Sequence, residues 1–124
     1  MGKHSPGFEA LCEDAKSRIN ELSAQAYFAQ PIAYVLVDVR EDREWDAGRI
    51  QGAQHLGKGV LERDIEARFA KDEPLVLYCG GGFRSALAAD MLQKMGYTNV
   101  FSLAGGIRVV RAEHSQMIEV GPKS

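Results

Sequence analysis

Short apolar runs alternate along the chain with longer stretches in which apolar residues recur every three or four positions. Leu75-Val76-Leu77-Tyr78 is the most compact run, too brief and too rich in strand formers for a helix. Consecutive apolar positions of this kind suit a strand covered on both faces within a parallel sheet. Tyr34 to Val39 reads the same way, and Ala53 to Leu56 and Asn99 to Leu103 predict shorter strands. After Gly82 the period changes: Leu87, Ala88, Met91, Leu92 and Met95 share one helical face. Gly96 stands where a left-handed cap would end that helix. Leu61, Ile65 and Phe69 stripe an amphipathic helix over 58–70, with its charges on a solvated face. Ser5-Pro6 reads as the N-cap and first turn of a helix striped by Phe8, Leu11, Cys12 and Ala15. Glu41 to Ala47 predicts a short helical turn with Trp45 pointing inward, and Ile107 to Arg111 opens a last helix. Residues 18–22 fit either a continuation of the first helix or a short strand. Strands alternating with helices predict an α/β fold with a parallel sheet and right-handed crossovers.

Composition narrows the class without changing the fold. A chain of 124 residues has the size of one ordinary domain and can bury a real core. The apolar share of 45% and the charged share of 26% are those of a soluble globular protein. A formal net charge of −2 gives no reason to expect a nucleic-acid partner. No apolar run approaches the roughly 20 residues of a membrane span, so no membrane partner is expected. The N-terminal stretch lacks the apolar core of a secretory signal, so a cytoplasmic, reducing setting is the default. Cys12 and Cys79 show neither C-x-x-C nor paired-ligand spacing, which argues against a zinc site or a disulfide framework. The expectation is that neither metal nor cofactor is needed.

The chemistry concentrates where the central strand ends. Cys79 is followed by Gly80, Gly81 and Gly82, then by Phe83, Arg84 and Ser85 at the start of a helix. Glycines let backbone N–H groups approach one point, because no Cβ stands in the way. The helix N-terminus adds partial positive charge there. A cysteine facing that point has its thiolate favoured, and the thiolate is the nucleophilic form. Arg84 supplies the loop's formal positive charge. Asp38 and Arg40 end another strand on the same expected edge of the sheet, where α/β proteins place their sites. For Arg40 a plain strand-end salt bridge is an equal reading, Cys12 reads as core packing, and His55 reads as structural.

Cys79-Gly-Gly-Gly-Phe-Arg84-Ser85 resembles the C-x-x-G-x-R-S loop of the rhodanese sulfurtransferases. Asp38-Val39-Arg40-Glu41, Glu44-Trp45, Gly48-Arg49-Ile50-Gln51-Gly52-Ala53 and Leu103-Ala104-Gly105-Gly106 resemble further blocks of that family, in the same order. The resemblance implies a rhodanese-like fold, with a central parallel sheet of about five strands flanked by helices on both faces. It divides the chain into a helical extension over 1–17, a rhodanese domain over 18–120 and a tail over 121–124. It favours a strand over 18–22, followed by a helix capped by Ser23. The implied activity moves a sulfane sulfur from thiosulfate or a persulfide to an acceptor through a persulfide on catalytic Cys79. Backbone N–H groups from Gly80 to Ser85 would cradle that sulfur, and Asp38 would pair with an arginine near the loop to hold it in position. The partners implied are a small sulfur donor and a thiol, cyanide or protein-thiol acceptor.

Two other readings attach to the same loop. Rhodanese-related phosphatases and arsenate reductases resemble a C-x5-R pattern, whose longer loop surrounds a tetrahedral oxyanion. Here four residues separate Cys79 from Arg84, one too few. A carrier or regulatory module acting on a protein partner would keep the fold without turnover. Glu44 lies where two-domain thiosulfate enzymes carry a substrate-binding arginine, and one loop cation beside an acid should attract a dianion weakly.

Overall fold

The computed structural model describes residues 4–122. Helices α1 (Pro6–Lys16), α2 (Ala24–Ala29), α3 (Asp42–Ala47), α4 (Lys58–Asp64), α5 (Phe83–Lys94) and α6 (Gly106–Glu113) alternate with short strands. The strands are β1 (Asn20–Leu22), β2 (Val35–Asp38), β3 (Gly48–Ile50), β4 (Gln54–His55), β5 (Leu75–Tyr78), β6 (Val100–Leu103) and β7 (Ile118–Val120). Five of them form one parallel sheet in the order β1-β6-β5-β2-β4, so β5 is its middle strand. The expected parallel α/β sheet, with helices on both faces, is the fold observed.

Alternation along β5 fills both faces. Leu75 and Leu77 pack with Val37, Leu61, Ile65, Ala88 and Leu92 on the side of α4 and α5. Val76 and Tyr78 pack with Tyr27, Leu36, Ile107 and Val110 on the side of α2 and α6. All four β5 side chains are fully buried, so truncating either leucine to alanine would cost about 2–5 kcal/mol. This anchors the end of β5, and with it Cys79.

Residues 18–22 resolve as a turn and then strand β1. The Ser17 hydroxyl donates to the Asp14 carbonyl and closes α1. Arg18 is then drawn to α5, where it makes a two-pronged ion pair with the buried Asp90 carboxylate at 3.1 and 2.7 Å. Ser23 caps α2, its hydroxyl accepting from the Ala26 N–H, and Gly96 takes φ +101° at the end of α5.

The helical stripes differ in detail. On α1, Cys12 and Ala15 are buried as expected, whereas Leu11 is exposed. On α5, Ala88 and Leu92 face the sheet, but Leu87 and Met91 are only half-buried. Ala86 and Ala89 are fully buried, because α1 packs along α5 and gives it a second covered side. The second helix stripe holds in burial, with Leu61, Ile65 and Phe69 inside, but α4 ends at Asp64 and passes into a short 3₁₀ turn.

One feature was not expected. β3 and β7 form a separate antiparallel ribbon, with Gly48 opposite Val120 and Ile50 opposite Ile118. Arg49 lies fully buried beneath it, donating to the carbonyls of Trp45 and Gly121 and pairing with Glu119 at 3.3 Å.

Candidate active site

Because β5 runs parallel to both neighbours, its carboxyl end opens at the edge where β2 and β6 also end. Cys79 leaves that end and is 1% exposed. Gly82 turns the chain with φ +95°, and a Cβ there would stand 3.2 Å from the Gly105 nitrogen, so glycine fits where a side chain would not. α5 starts at the next residue, and its first turn aims back at the sulfur. The N–H groups of Gly82 and Ser85 donate to Cys79 Sγ at 3.2 and 3.3 Å. Ser85 Oγ stands 3.4 Å from the sulfur and is fixed by Ser102 Oγ at 2.8 Å.

The expected cradle is therefore narrower around the resting sulfur. Of the six N–H groups from Gly80 to Ser85, two reach Sγ. Among the described residues, those of Gly80, Gly81, Phe83 and Arg84 have no protein acceptor. They are open donors on one tight turn, of the kind that holds anions.

The loop's own arginine is not free. Arg84 donates to both carboxylate oxygens of Glu44, at 2.8 and 3.0 Å. Glu44 is held from the other side by the Glu41 N–H at 3.0 Å. The Arg84 hydrogen bond is the main reason the Glu44 carboxyl is pulled down from 4.5 to about 2. The pair is ionised across the working pH range.

Asp38 pairs with Arg40, the strand-end salt bridge that was one of the two readings of Arg40, and not with Arg84 of the loop. Arg40 Nη2 sits 2.8 Å from the Asp38 carboxylate and also donates to the Gly48 carbonyl at 2.7 Å. Both residues are buried, and neither lines the cavity that holds Cys79. They brace the end of β2 against the start of β3. His55 belongs to the same brace: its Nε2 lies 2.8 Å from the Arg40 carbonyl, and its ring stacks on Trp45. Trp45 is half-buried against the core, less enclosed than an inward anchor.

Gly105, Gly106 and Arg108 were not assigned to this site from the sequence. Gly105 and Gly106 have φ +76° and +59°, which brings the first turn of α6 against the cysteine loop. The Ile107 N–H donates to the Cys79 carbonyl at 2.9 Å, and the Arg108 N–H donates to the Gly80 carbonyl at 3.0 Å. A Cβ on Gly106 would fall 2.5 Å from the first of those oxygens and 2.6 Å from the second. A pair of glycines directly ahead of a helix was the available signal, since it marks backbone in close approach. Arg108 follows from that docking, because its side chain emerges beside the loop.

Cys79, Glu44, Arg84 and Arg108 line a cavity of about 690 Å³, walled on one side by His4, Phe8 and Phe83. The His4 ring lies 4.5 Å from Phe83 and 5.0 Å from Phe8, so the start of α1 forms part of the mouth. Cys12 stays behind this wall, its thiol directed at the Phe83 carbonyl at 3.6 Å, and burial pushes its pKa up. Among the described residues no group of three or more His, Cys, Asp or Glu side chains is arranged to hold a metal ion. None of their helices is long and apolar enough to cross a membrane.

The family model for the rhodanese-like domain matches residues 13–113. The chain belongs to that family. A thiosulfate sulfurtransferase GlpE of Stutzerimonas stutzeri is 33% identical over 77% of this chain and 86% of its own length. An uncharacterized protein YqhL of Bacillus subtilis is 40% identical over 59% of this chain, a match that spans only 57% of that relative. A solved structure from Rhodopseudomonas palustris, described as a protein of unknown function and possible tyrosine phosphatase, is 30% identical. It gives a TM-score of 0.75, with 100% of this chain and 99% of that chain covered. At the level of the family, the kinship is with sulfurtransferases.

Proposed function

We propose that this protein is a sulfurtransferase that carries sulfur as a persulfide on Cys79, with residues 18–120 as the working unit and 1–17 as an extension. One observation carries the reading: Cys79 Sγ sits in a backbone cradle with two N–H groups already on it and four more unoccupied. In the first half-reaction the Cys79 thiolate attacks the outer sulfur of the donor. The new S–S bond forms as the donor's own bond to that sulfur breaks, and the remainder leaves with the bonding electrons, as sulfite does from thiosulfate. The product is a cysteine persulfide anion, whose added sulfur the open N–H groups of the loop can take up. In the second half-reaction a nucleophile (cyanide or a thiolate) attacks that outer sulfur and restores the Cys79 thiolate. This is two-step covalent catalysis.

The phosphatase reading is not favoured. Its arginine must face the oxyanion, and here Arg84 is occupied by Glu44 on both prongs.

The test is intact mass after incubation with thiosulfate or an organic persulfide, followed by peptide mapping. One extra sulfur on the Cys79 peptide, removed by cyanide and absent from Cys79→Ala, is the expected result. Sulfur gained by Cys79→Ala would refute the assignment. Sulfur held on Cys79 but released only to a protein thiol would make the molecule a carrier.

A further inference from the structure

Two guanidinium groups flank the cysteine loop, and only one of them is engaged. A methyl placed on Gly80 would touch Arg84 Nη2 at 3.4 Å, and one placed on Gly81 would touch the Arg108 guanidinium at 3.4 to 3.7 Å. The two cations thus lie over successive glycines of the same turn. Arg84 is neutralised by the Glu44 carboxylate. The Arg108 guanidinium has no hydrogen bond or ion pair among the described residues. It is exposed, yet its position is fixed at the root, because its own N–H is tied to the Gly80 carbonyl. Lys16 lies across the Phe83 ring and is paired with Glu13, Arg40 is paired with Asp38, and neither they nor Lys58 line the cavity.

Because the charges of Arg84 and Glu44 cancel, the cavity lining offers an incoming donor a single positive group, Arg108, offset by the thiolate of Cys79. A dianion must approach that thiolate with one unpaired guanidinium in the cavity lining to receive it. The opposite wall is made of rings, with Phe8 and Phe83 6.3 Å apart and His4 between them. Such a wall gains from burying an apolar body and offers a small inorganic ion nothing.

The geometry points to Arg108 as the donor-binding cation of this site, and to mono-anionic organic sulfane compounds with an apolar substituent as its donors, in preference to thiosulfate. The inference rests on the persulfide reading above. With an arenethiosulfonate, the Cys79 thiolate takes the outer sulfur, the S–S bond of the donor breaks, and an arenesulfinate anion departs beside Arg108. Total charge is the same before and after.

Single-turnover loading of Cys79 with benzenethiosulfonate and with thiosulfate, at one ionic strength, tests it. The wild-type protein should load from benzenethiosulfonate at about tenfold lower half-saturating concentration. Arg108→Ala should raise that concentration about five- to tenfold with little change in the limiting rate, since it removes a partly exposed ion pair. Arg108→Lys should recover part of the loss. Phe8→Ala should shrink the advantage of the phenyl donor and leave thiosulfate unaffected. Wild-type affinity in Arg108→Ala, or equal use of the two donors, overturns the inference while the persulfide reading stands. Failure of the wild-type protein to load from any donor overturns both.

Discussion

Gly106→Ala should damage this protein far more than an added methyl at a positive-φ glycine with open space around it, and the cost can be built from the contacts. A residue other than glycine at φ +59° carries roughly 1–2 kcal/mol of backbone strain. The new Cβ would also stand 2.5 and 2.6 Å from the carbonyl oxygens of Cys79 and Gly80. An ordinary C···O approach is about 3.3 Å, so the two segments must separate by about 0.7 Å. That stretches the bonds from Ile107 and Arg108 N–H, now 2.9 and 3.0 Å, past useful length. Each is worth about 1 kcal/mol, which brings the total to about 3–4 kcal/mol. Gly52→Ala is the matched control, because Gly52 has φ +84° but nothing within 4 Å of an added Cβ. It should lose only the roughly 1–2 kcal/mol of backbone strain. Urea denaturation of the two variants measures the difference directly. Because the same movement displaces the loop that aims N–H groups at the sulfur, persulfide loading by Gly106→Ala should also fall, by about a hundredfold. Equal stability losses in the two variants would refute the claim that α6 rigidly backs the cysteine loop.

Two other perturbations follow from the same geometry. Glu44 is depressed from 4.5 to about 2, so its stabilising contribution is complete above 4.5 and disappears as pH falls through 2. Allowing for the part of the pair that is solvated, wild type should lose about 1–2 kcal/mol more than Glu44→Gln over that window in stepwise acid denaturation; parallel curves would contradict the pairing. At neutral pH Glu44→Gln should load from thiosulfate severalfold faster, since Arg84 is released to the cavity. Arg49→Ala should cost about 3 kcal/mol, because it strips buried carbonyls of their donor, and amide exchange should rise at 48–50 and 118–120 while β5 stays protected.

The parts of this molecule legible in the sequence are those fixed by local pattern. Leu75 to Tyr78 declared a strand buried on both faces, and the cysteine, glycines and Arg84-Ser85 declared a tight loop feeding a helix. Pairings across long stretches were not legible. Glu44 lies 40 positions from Arg84, and only folding shows that the loop arginine is already taken. Arg49 sits in the block from Gly48 to Ala53, and nothing local announces that residues near 120 return to cover it. Leu11 was misjudged and Ala89 went unnamed for one reason: α1 lies on α5, so the helical stripe rotates toward a neighbour that a periodic pattern does not name. Gly106 showed as a turn residue, but the carbonyls it approaches come from another strand's end.

The N-terminal helix has an evolutionary consequence. The backbone that holds the sulfur comes from β5, α5 and α6, inside the matched stretch of 13–113, whereas His4 and Phe8, which narrow the entrance, lie ahead of it. Part of the entrance wall is thus written on a separate piece of chain from the cradle, while Phe83 and Arg108 belong to the matched stretch. On the proposed function, mutations at His4 or Phe8 would trade one clientele of donors for another without disturbing the hydrogen bonds on which the cysteine depends. A lineage can change what it feeds on and keep the same chemistry.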